Sequence, residues 1–358
     1  MDLTTKIKKE SIQPFWSHNM DRKYNKTPIF ISGSPRSGTS WVLEVLESAF
    51  NARRHWEPFN YFISSNSTGF PFEKYDWLRP TVDDINNKSI IKQELKRVLT
   101  GGKPFFAVQA KSRGLPTWKS LKLIASADIT FVKFVLLQRA LSWIARNTDN
   151  PGIVILRNPI SVVSSQLYHP FKNSKGEEAV HPDWSEDVIK KVHPIVREEY
   201  LDSIPGLRSL LERKLTTAER LAISACLDLL IPLQDKNVKG KYVFVAYESL
   251  VECPEKFIEI AKTLDLGLVF DFTSQKFKKP SKTTASDSNV KNSGDPRLSW
   301  KRRLSGKEAE DIFNVMDVMG VDFYSDNDVI NSTKLKDCLL YTSPSPRDLS
   351  TSRMPSSA

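Results

Sequence analysis

From Ile29 to Val45 the sequence reads Ile-Phe-Ile-Ser-Gly-Ser-Pro-Arg-Ser-Gly-Thr-Ser-Trp-Val-Leu-Glu-Val, and no other stretch limits the fold so tightly. The apolar, β-prone Ile29–Ile31 reads as a strand, Gly33 and Gly38 centre a turn of small residues, and Ser40 to Phe50 carries apolar residues at helical spacing. In a strand–turn–helix of this kind, successive backbone N–H groups point into one concavity. The first turn of the helix adds unpaired donors and the positive end of its dipole, so an anion belongs there. The simpler alternative is a Gly/Ser turn that only joins a strand to a helix.

The residue after the second glycine decides which anion. In a nucleotide-triphosphate loop of the form GxxxxGK[ST] it is a lysine that reaches the outer phosphates. Here it is Thr39, and the cation sits inside the turn as Arg36, beside the hydroxyls of Ser37, Thr39 and Ser40. A guanidinium grips phosphate or sulfate oxygens through two parallel hydrogen bonds and stays charged at any working pH.

A second strand–turn–helix follows at Gly152 to Tyr168. There a buried-type apolar run ends in Arg157-Asn158-Pro159 and gives way to helical spacing. Arg157 at the carboxyl end of its strand and Ser165, eight positions later and two helical turns in, can converge on one phosphate beside the first turn. Taken alone, the same residues also describe an exposed arginine and a helix-surface serine. Between the two motifs, Trp56-Glu57-Pro58-Phe59 follows the first helix where a second short strand should return to the same edge of a sheet.

Ser34-Pro-Arg-Ser-Gly-Thr-Ser-Trp41 resembles the 5′-phosphosulfate loop of the sulfotransferases that use 3′-phosphoadenosine-5′-phosphosulfate (PAPS), and Arg157 with Ser165 is similar to their 3′-phosphate motif. The resemblance spans roughly residues 28 to 325. It implies an α/β, P-loop-like three-layer fold with a central, mostly parallel sheet and helices on both faces. It also implies PAPS as co-substrate, with no metal, and transfer of a sulfuryl group to an acceptor hydroxyl. Glu57 falls where the carbohydrate and protein-tyrosine branches carry their general base, and Glu57-Pro58 is especially like the carbohydrate branch. A carboxylate partly desolvated by Trp56 and Phe59 suits removal of a hydroxyl proton. His55 is a rival base, but the cytosolic small-molecule branch carries its histidine much farther along the chain.

The resemblance extends, less specifically, to three further places. Lys241 to Leu250 reads as a strand ending in Tyr247-Glu248, similar to a segment whose tyrosine lies against adenine; packing explains Tyr247 equally well. Arg297, Trp300 and Lys301 stand in a basic segment that in the family closes over the 3′-phosphate, or else simply precede the helix from Gly306 to Met319. Lys133, inside the β-rich run Ile129–Leu137, falls near an active-site lysine of the family, or is a snorkelling lysine on an edge strand. Sequence thus assigns catalysis to Glu57 and Arg36, and donor binding to Ser34, Arg36, Ser37, Gly38, Thr39, Ser40, Arg157, Ser165, Tyr247, Arg297, Trp300 and Lys301.

The chain's 358 residues suffice for one large domain, expected over 28–325 between a basic arm (1–27) and a tail (326–358). The formal charge of +10 suits a polyanionic donor. Its basic residues are scattered and no nucleic-acid-binding signature is present, so no nucleic acid partner is expected. Cys226, Cys253 and Cys338 show neither disulfide nor zinc spacing and read as two buried small residues and one tail thiol. No signal segment or apolar run of about 20 residues is seen. A soluble, cytoplasmic protein is therefore expected, or one of the Golgi lumen if the N-terminus is incomplete.

Residues 60–80 read as a loop over the donor edge, Pro104–Ala110 as a strand followed by Lys111 and Arg113 near the acceptor, and 273–296 as a flexible loop. From Cys338 onward the text resembles sequencing-adapter read-through, so 338–358 is expected to be disordered or foreign. The alternative functions are a P-loop kinase or NTPase, against which the missing lysine argues, and a catalytically inactive nucleotide- or polyanion-binding module.

Overall fold

Strands that are apolar on both faces must be covered on both, and this requirement sets the architecture. The computed structural model describes residues 27–50, 52–57, 80–87, 89–101, 127, 129–169, 171–172, 178–179, 198–204, 206–266, 295–324 and 331. Their elements up to the second motif are β1 (Ile29–Gly33), α1 (Thr39–Ala49), β2 (Ala52–Trp56), α2 (Val82–Asn87), α3 (Ser89–Leu99), β3 (Ile129–Phe134), α4 (Leu141–Asn147), β4 (Gly152–Leu156) and α5 (Pro159–Leu167). After it come β5 (Phe171–Lys172), β6 (Glu178–Ala179), α6 (Glu198–Ser203), α7 (Leu207–Leu211), α8 (Thr217–Gln234), α9 (Lys236–Lys239), β7 (Val243–Ala246), α10 (Tyr247–Glu252), α11 (Lys256–Thr263) and α12 (Gly306–Val318). A 3-10 turn at Gln138–Ala140 precedes α4 and another at Leu298–Arg302 precedes α12.

Five strands form one parallel sheet in the order β2-β3-β1-β4-β7, and β5 pairs with β6 as a separate antiparallel ribbon. Alternate residues of the strands supply two cores. Ile29, Ile31, Phe131, Ile153 and Ile155 pack on α1, α10 and α11. Phe30, Val132, Phe134, Val154 and Leu156 pack on the opposite side, against the layer that contains α3, α4, α5, α8 and α12. The fold is therefore α/β with helices on both faces of a parallel sheet, as the sequence led one to expect. Because β1 lies between β3 and β4, the turns after β1 and β4 open side by side at the carboxyl edge, where chain connections diverge and ligands bind in such sheets.

Local chemistry starts the helices where the pattern places them. α8 and α12 open on capping boxes, Thr216 with Glu219 and Ser305 with Glu308. Asn158 caps α5 through a bond from Ile160 N, with Pro159 in the first turn. A buried ion pair, Arg139–Asp228 at 3.3 Å, ties the turn before α4 to α8.

Three expectations need correction. β7 stops at Ala246 rather than at Tyr247-Glu248, because its ladder runs along β4 and ends at the Leu156–Ala246 pair, after which Tyr247 opens α10. Lys133 is not on an edge strand, since β3 is inserted between β1 and β2. Cys226 is buried as expected, whereas Cys253 is only half-buried, bonding Glu255 through its thiol.

The arm up to residue 26, Pro58-Phe59 and the loop to 79, the strand Pro104–Ala110 with Lys111 and Arg113, the loop to 294 and the tail beyond Asn331 lie outside the described residues. Among the described residues no helix is long and apolar enough to cross a membrane.

Candidate active site

The turn after β1 is shaped by two left-handed residues, Arg36 (φ 76°) and Gly38 (φ 93°). Gly38 cannot be replaced cheaply: a Cβ there would lie 2.4 Å from Cδ2 of Tyr247. Ser37 N donates to Ser34 O at 2.9 Å, and Gln166 on α5 donates through Nε2 to Pro35 O at 3.0 Å, so the second motif braces the first. Gly38 gives α1 no side-chain cap, and no acidic residue stands in its first turn, which leaves the helix start suited to an external anion. The buried Ser37 hydroxyl has no hydrogen-bond partner.

The two motifs meet through their arginines. Arg36 Nε donates to Ser165 Oγ at 3.0 Å, and Arg157 Nη1 donates to the Arg36 carbonyl at 2.7 Å. Arg157 Nη2 reaches Pro296 O at 3.4 Å, while its Nε is buried without a partner. Burial, and then the Arg157 and Arg303 cations, pull the Arg36 guanidinium down to about 10, with Glu57 and Tyr247 opposing. Arg303 is lowered as well, first by burial and then by Arg157 and Arg302. Arg36 and Arg303 are thus each lowered by burial and by the Arg157 cation, and together with an orphaned Nε and an orphaned hydroxyl the three arginines line a cradle suited to an anion.

Glu57 sits at the end of β2 with φ 43°, held by Glu57 N donating to Lys133 O at 3.1 Å. Of the three non-glycine residues with positive φ among the described residues, two are Arg36 and Glu57, the residues assigned to catalysis. Glu57 Oε1 accepts from Lys133 Nζ, which also donates to Ser40 Oγ at 2.7 Å. Burial lowers the Lys133 ammonium below an ordinary lysine, and Glu57 only partly restores it. The Lys133 side chain is 2% exposed and that of Glu57 11%. The pair therefore links β2 and β3 to the first turn of α1.

Other assigned residues have different neighbours. Tyr247 is buried beside Gly38 and carries Arg157 over its ring, 4.4 Å from the centroid. Arg297 bonds Asp295, with Nη2 to Oδ2 at 2.6 Å and Nε to both oxygens. Trp300 is a core side chain set edge-on to Phe313 at 5.7 Å, and the exposed Lys301 lies over the Trp300 ring at 5.3 Å. The cradle thus gathers Ser34, Arg36, Ser37, Gly38, Thr39, Ser40, Arg157, Ser165 and Tyr247, with Glu57 joined through Lys133.

Sequence reasoning left out Lys133 and Arg303. The cue for the first was a cation centred in an apolar run; for the second it was the end of the basic triplet Lys301-Arg302-Arg303.

Compared with models of protein families and with curated proteins, the sequence matches none. Among solved structures the chain is similar to the sulfotransferase domain of the Synechococcus PCC 7002 olefin synthase, at 17% identity and a TM-score of 0.38, over 84% of this chain and 97% of that one. It is similar to the sulfotransferase domain of the curacin biosynthetic pathway at 16% identity and TM-score 0.33, over 89% and 99% of the two chains. A third similar structure is mouse sulfotransferase SULT7A1 complexed with PAP, at 15% identity and TM-score 0.36, over 90% and 93%.

Proposed function

We propose that the protein is a PAPS-dependent sulfotransferase acting on an acceptor hydroxyl, with sugars as the favoured acceptor class. The observation that carries this reading is the convergence of two anion motifs 121 residues apart, Arg157 on the Arg36 carbonyl and Arg36 on Ser165. A donor bearing separate 3′-phosphate and 5′-phosphosulfate groups needs two such sets of donors. The orphaned Ser37 Oγ and Arg157 Nε support the fit. Thr39 in place of the lysine of a triphosphate loop weighs against ATP.

In this reading Arg157 and Ser165 hold the 3′-phosphate, and Arg36, Ser37, Thr39, Ser40 and the start of α1 hold the 5′ group. The donor supplies an activated sulfuryl group attached to phosphate. Charge building on the departing phosphate is met by Arg36, Thr39 and backbone donors already in place, so most of the rate enhancement comes from positioning and electrostatics. Glu57 accepts the acceptor's hydroxyl proton as oxygen attacks sulfur. Lys133 fixes the Glu57 carboxylate and joins it to Ser40. The sugar preference rests on the resemblance of Glu57-Pro58 to the carbohydrate branch.

Calorimetric titration of the chain with 3′-phosphoadenosine-5′-phosphate (PAP), beside ATP-Mg and adenosine-5′-phosphosulfate, tests the donor site. PAP should bind most tightly, and Arg157→Ala should weaken it by about 30- to 5,000-fold, the range for truncating one partner of a buried charged contact. Equal affinity for ATP-Mg and PAP would overturn the assignment. Glu57→Gln should cut turnover by about 10²- to 10⁴-fold with PAP affinity intact; weakened binding with unchanged turnover would remove Glu57 from the role of base.

A further inference from the structure

Tyr247 and Glu248 open α10 where the β4–β7 ladder ends, and they continue its pairing with side chains. Leu156 faces Ala246 in the last ladder pair. Beyond it, the Tyr247 ring lies under the Arg157 guanidinium at 4.4 Å, and Glu248 Oε1 accepts from Asn158 N at 3.0 Å. Two consecutive residues of α10 thus hold two consecutive residues of the second motif, one by its cationic side chain and one by its backbone.

The ring itself has almost no freedom. It meets Trp41 edge-to-face at 5.6 Å, touches Gly38 so closely that a Cβ would collide, and is only 8% exposed. A side chain so enclosed offers little surface to a nucleotide base. An arginine stem, by contrast, loses much side-chain freedom when fixed, and an aromatic face that holds the guanidinium beforehand lowers that cost on binding.

We propose that Tyr247 is a positioning residue for nucleotide selectivity: wedged between Gly38 and Trp41, its ring holds Arg157 in place and so makes the site prefer nucleotides that carry a 3′-phosphate. This rests on the assignment of Arg157 to the 3′-phosphate made above. Burial raises the Tyr247 phenol above an ordinary tyrosine, and Glu248 and Asp295 add to this while Arg157 and Arg297 oppose it. The ring therefore acts as a neutral face rather than as a phenolate, and phenylalanine should serve equally well.

The test compares affinities of the full chain for PAP and for adenosine-5′-phosphosulfate, which lacks the 3′-phosphate. Tyr247→Leu should weaken PAP by about tenfold, in the range of a desolvated cation–π contact, and leave adenosine-5′-phosphosulfate within twofold. Tyr247→Phe should keep both. Equal weakening of both ligands by Tyr247→Leu would mean the ring supports the loop or the base, and would overturn the proposal; so would no change in either. If the unaltered chain fails to distinguish the two ligands, the 3′-phosphate assignment falls, and the selectivity proposal falls with it. A thermal double-mutant cycle then reads the contact itself: destabilisation by Arg157→Ala and Tyr247→Leu should be non-additive, and additivity would remove the positioning contact too.

Discussion

The two ends of the site are built on opposite electrostatic plans. Beside β1 and β4, Arg36, Arg157 and Arg303 repel one another, and a hydroxyl and a guanidinium nitrogen are buried without partners. Beside β2 and β3, Lys133 is closed between Glu57 and Ser40, its charge already matched. The first region is a cradle of like charges, while the second is a latch in which a cation meets a carboxylate. Stability and function should therefore separate in the cradle and coincide in the latch.

The largest effect belongs to the cradle. Arg36→Ala removes the cation proposed to hold the donor's 5′ group and should reduce transfer by about 10²- to 10³-fold, as for loss of one preorganised donor to a charged transition state. Because the same change relieves repulsion on Arg157 and Arg303, the melting temperature should stay level or rise. A parallel fall in both activity and melting temperature would erase the distinction between cradle and latch.

The latch should behave in the reverse way. Lys133→Met leaves the Glu57 carboxylate beside an apolar strand centre, and removing one partner of a buried pair costs several kcal/mol. With Glu57 at 11% exposure some water reaches it, so we expect the lower end, about 3 kcal/mol. Urea denaturation measures it. Glu57→Gln retains a carbonyl oxygen that can accept from Lys133 and should cost less. Identical losses in the two variants would mean that charge matching contributes nothing to the latch.

This contrast also explains what could be read from the sequence. The cradle's two halves are each a local strand–turn–helix, so the periods, the glycines, Pro159 and the eight-residue step from Arg157 to Ser165 sufficed to place them. The role of Lys133 depends on β3 being inserted between β1 and β2, a consequence of strand order that a cation centred in an apolar run signals but does not fix. Tyr247 looks like any strand-end aromatic until β4 and β7 are paired. The basic segment is hard to read for a different reason, since its side chains bond their own neighbours while its backbone accepts from Arg157 and Ser161. Arg297 is satisfied two residues away by Asp295, and Trp300 is drawn into the core by Phe313 on α12. Arg303, in the same segment, contributes charge to the cradle instead.

The smallest effect distinguishes the regions by sign, in alkaline solution. Lys133, facing Glu57, Arg36 and Glu44, is lowered mainly by burial, so the folded chain releases that proton before the unfolded chain does. Stability from this group is gained as pH rises from the lowered value toward that of an exposed lysine. Tyr247, facing Arg157, Glu248, Asp295 and Arg297, is raised mainly by burial, so the folded chain keeps its phenol proton longer. Stability from this group is intact below the ordinary tyrosine value and is lost as pH climbs toward the raised one. As pH rises toward the exposed-lysine value of about 10.4, the melting-temperature gap between the unaltered chain and Lys133→Met should therefore widen. The gap to Tyr247→Phe should shift in favour of the variant only above the ordinary tyrosine value, about 10. One kcal/mol moves the melting temperature of a domain of this size by about 2–4 °C, so scanning calorimetry can resolve the divergence. Both gaps moving in the same direction would show that the latch lysine and the cradle tyrosine do not occupy the opposed environments that their contacts describe.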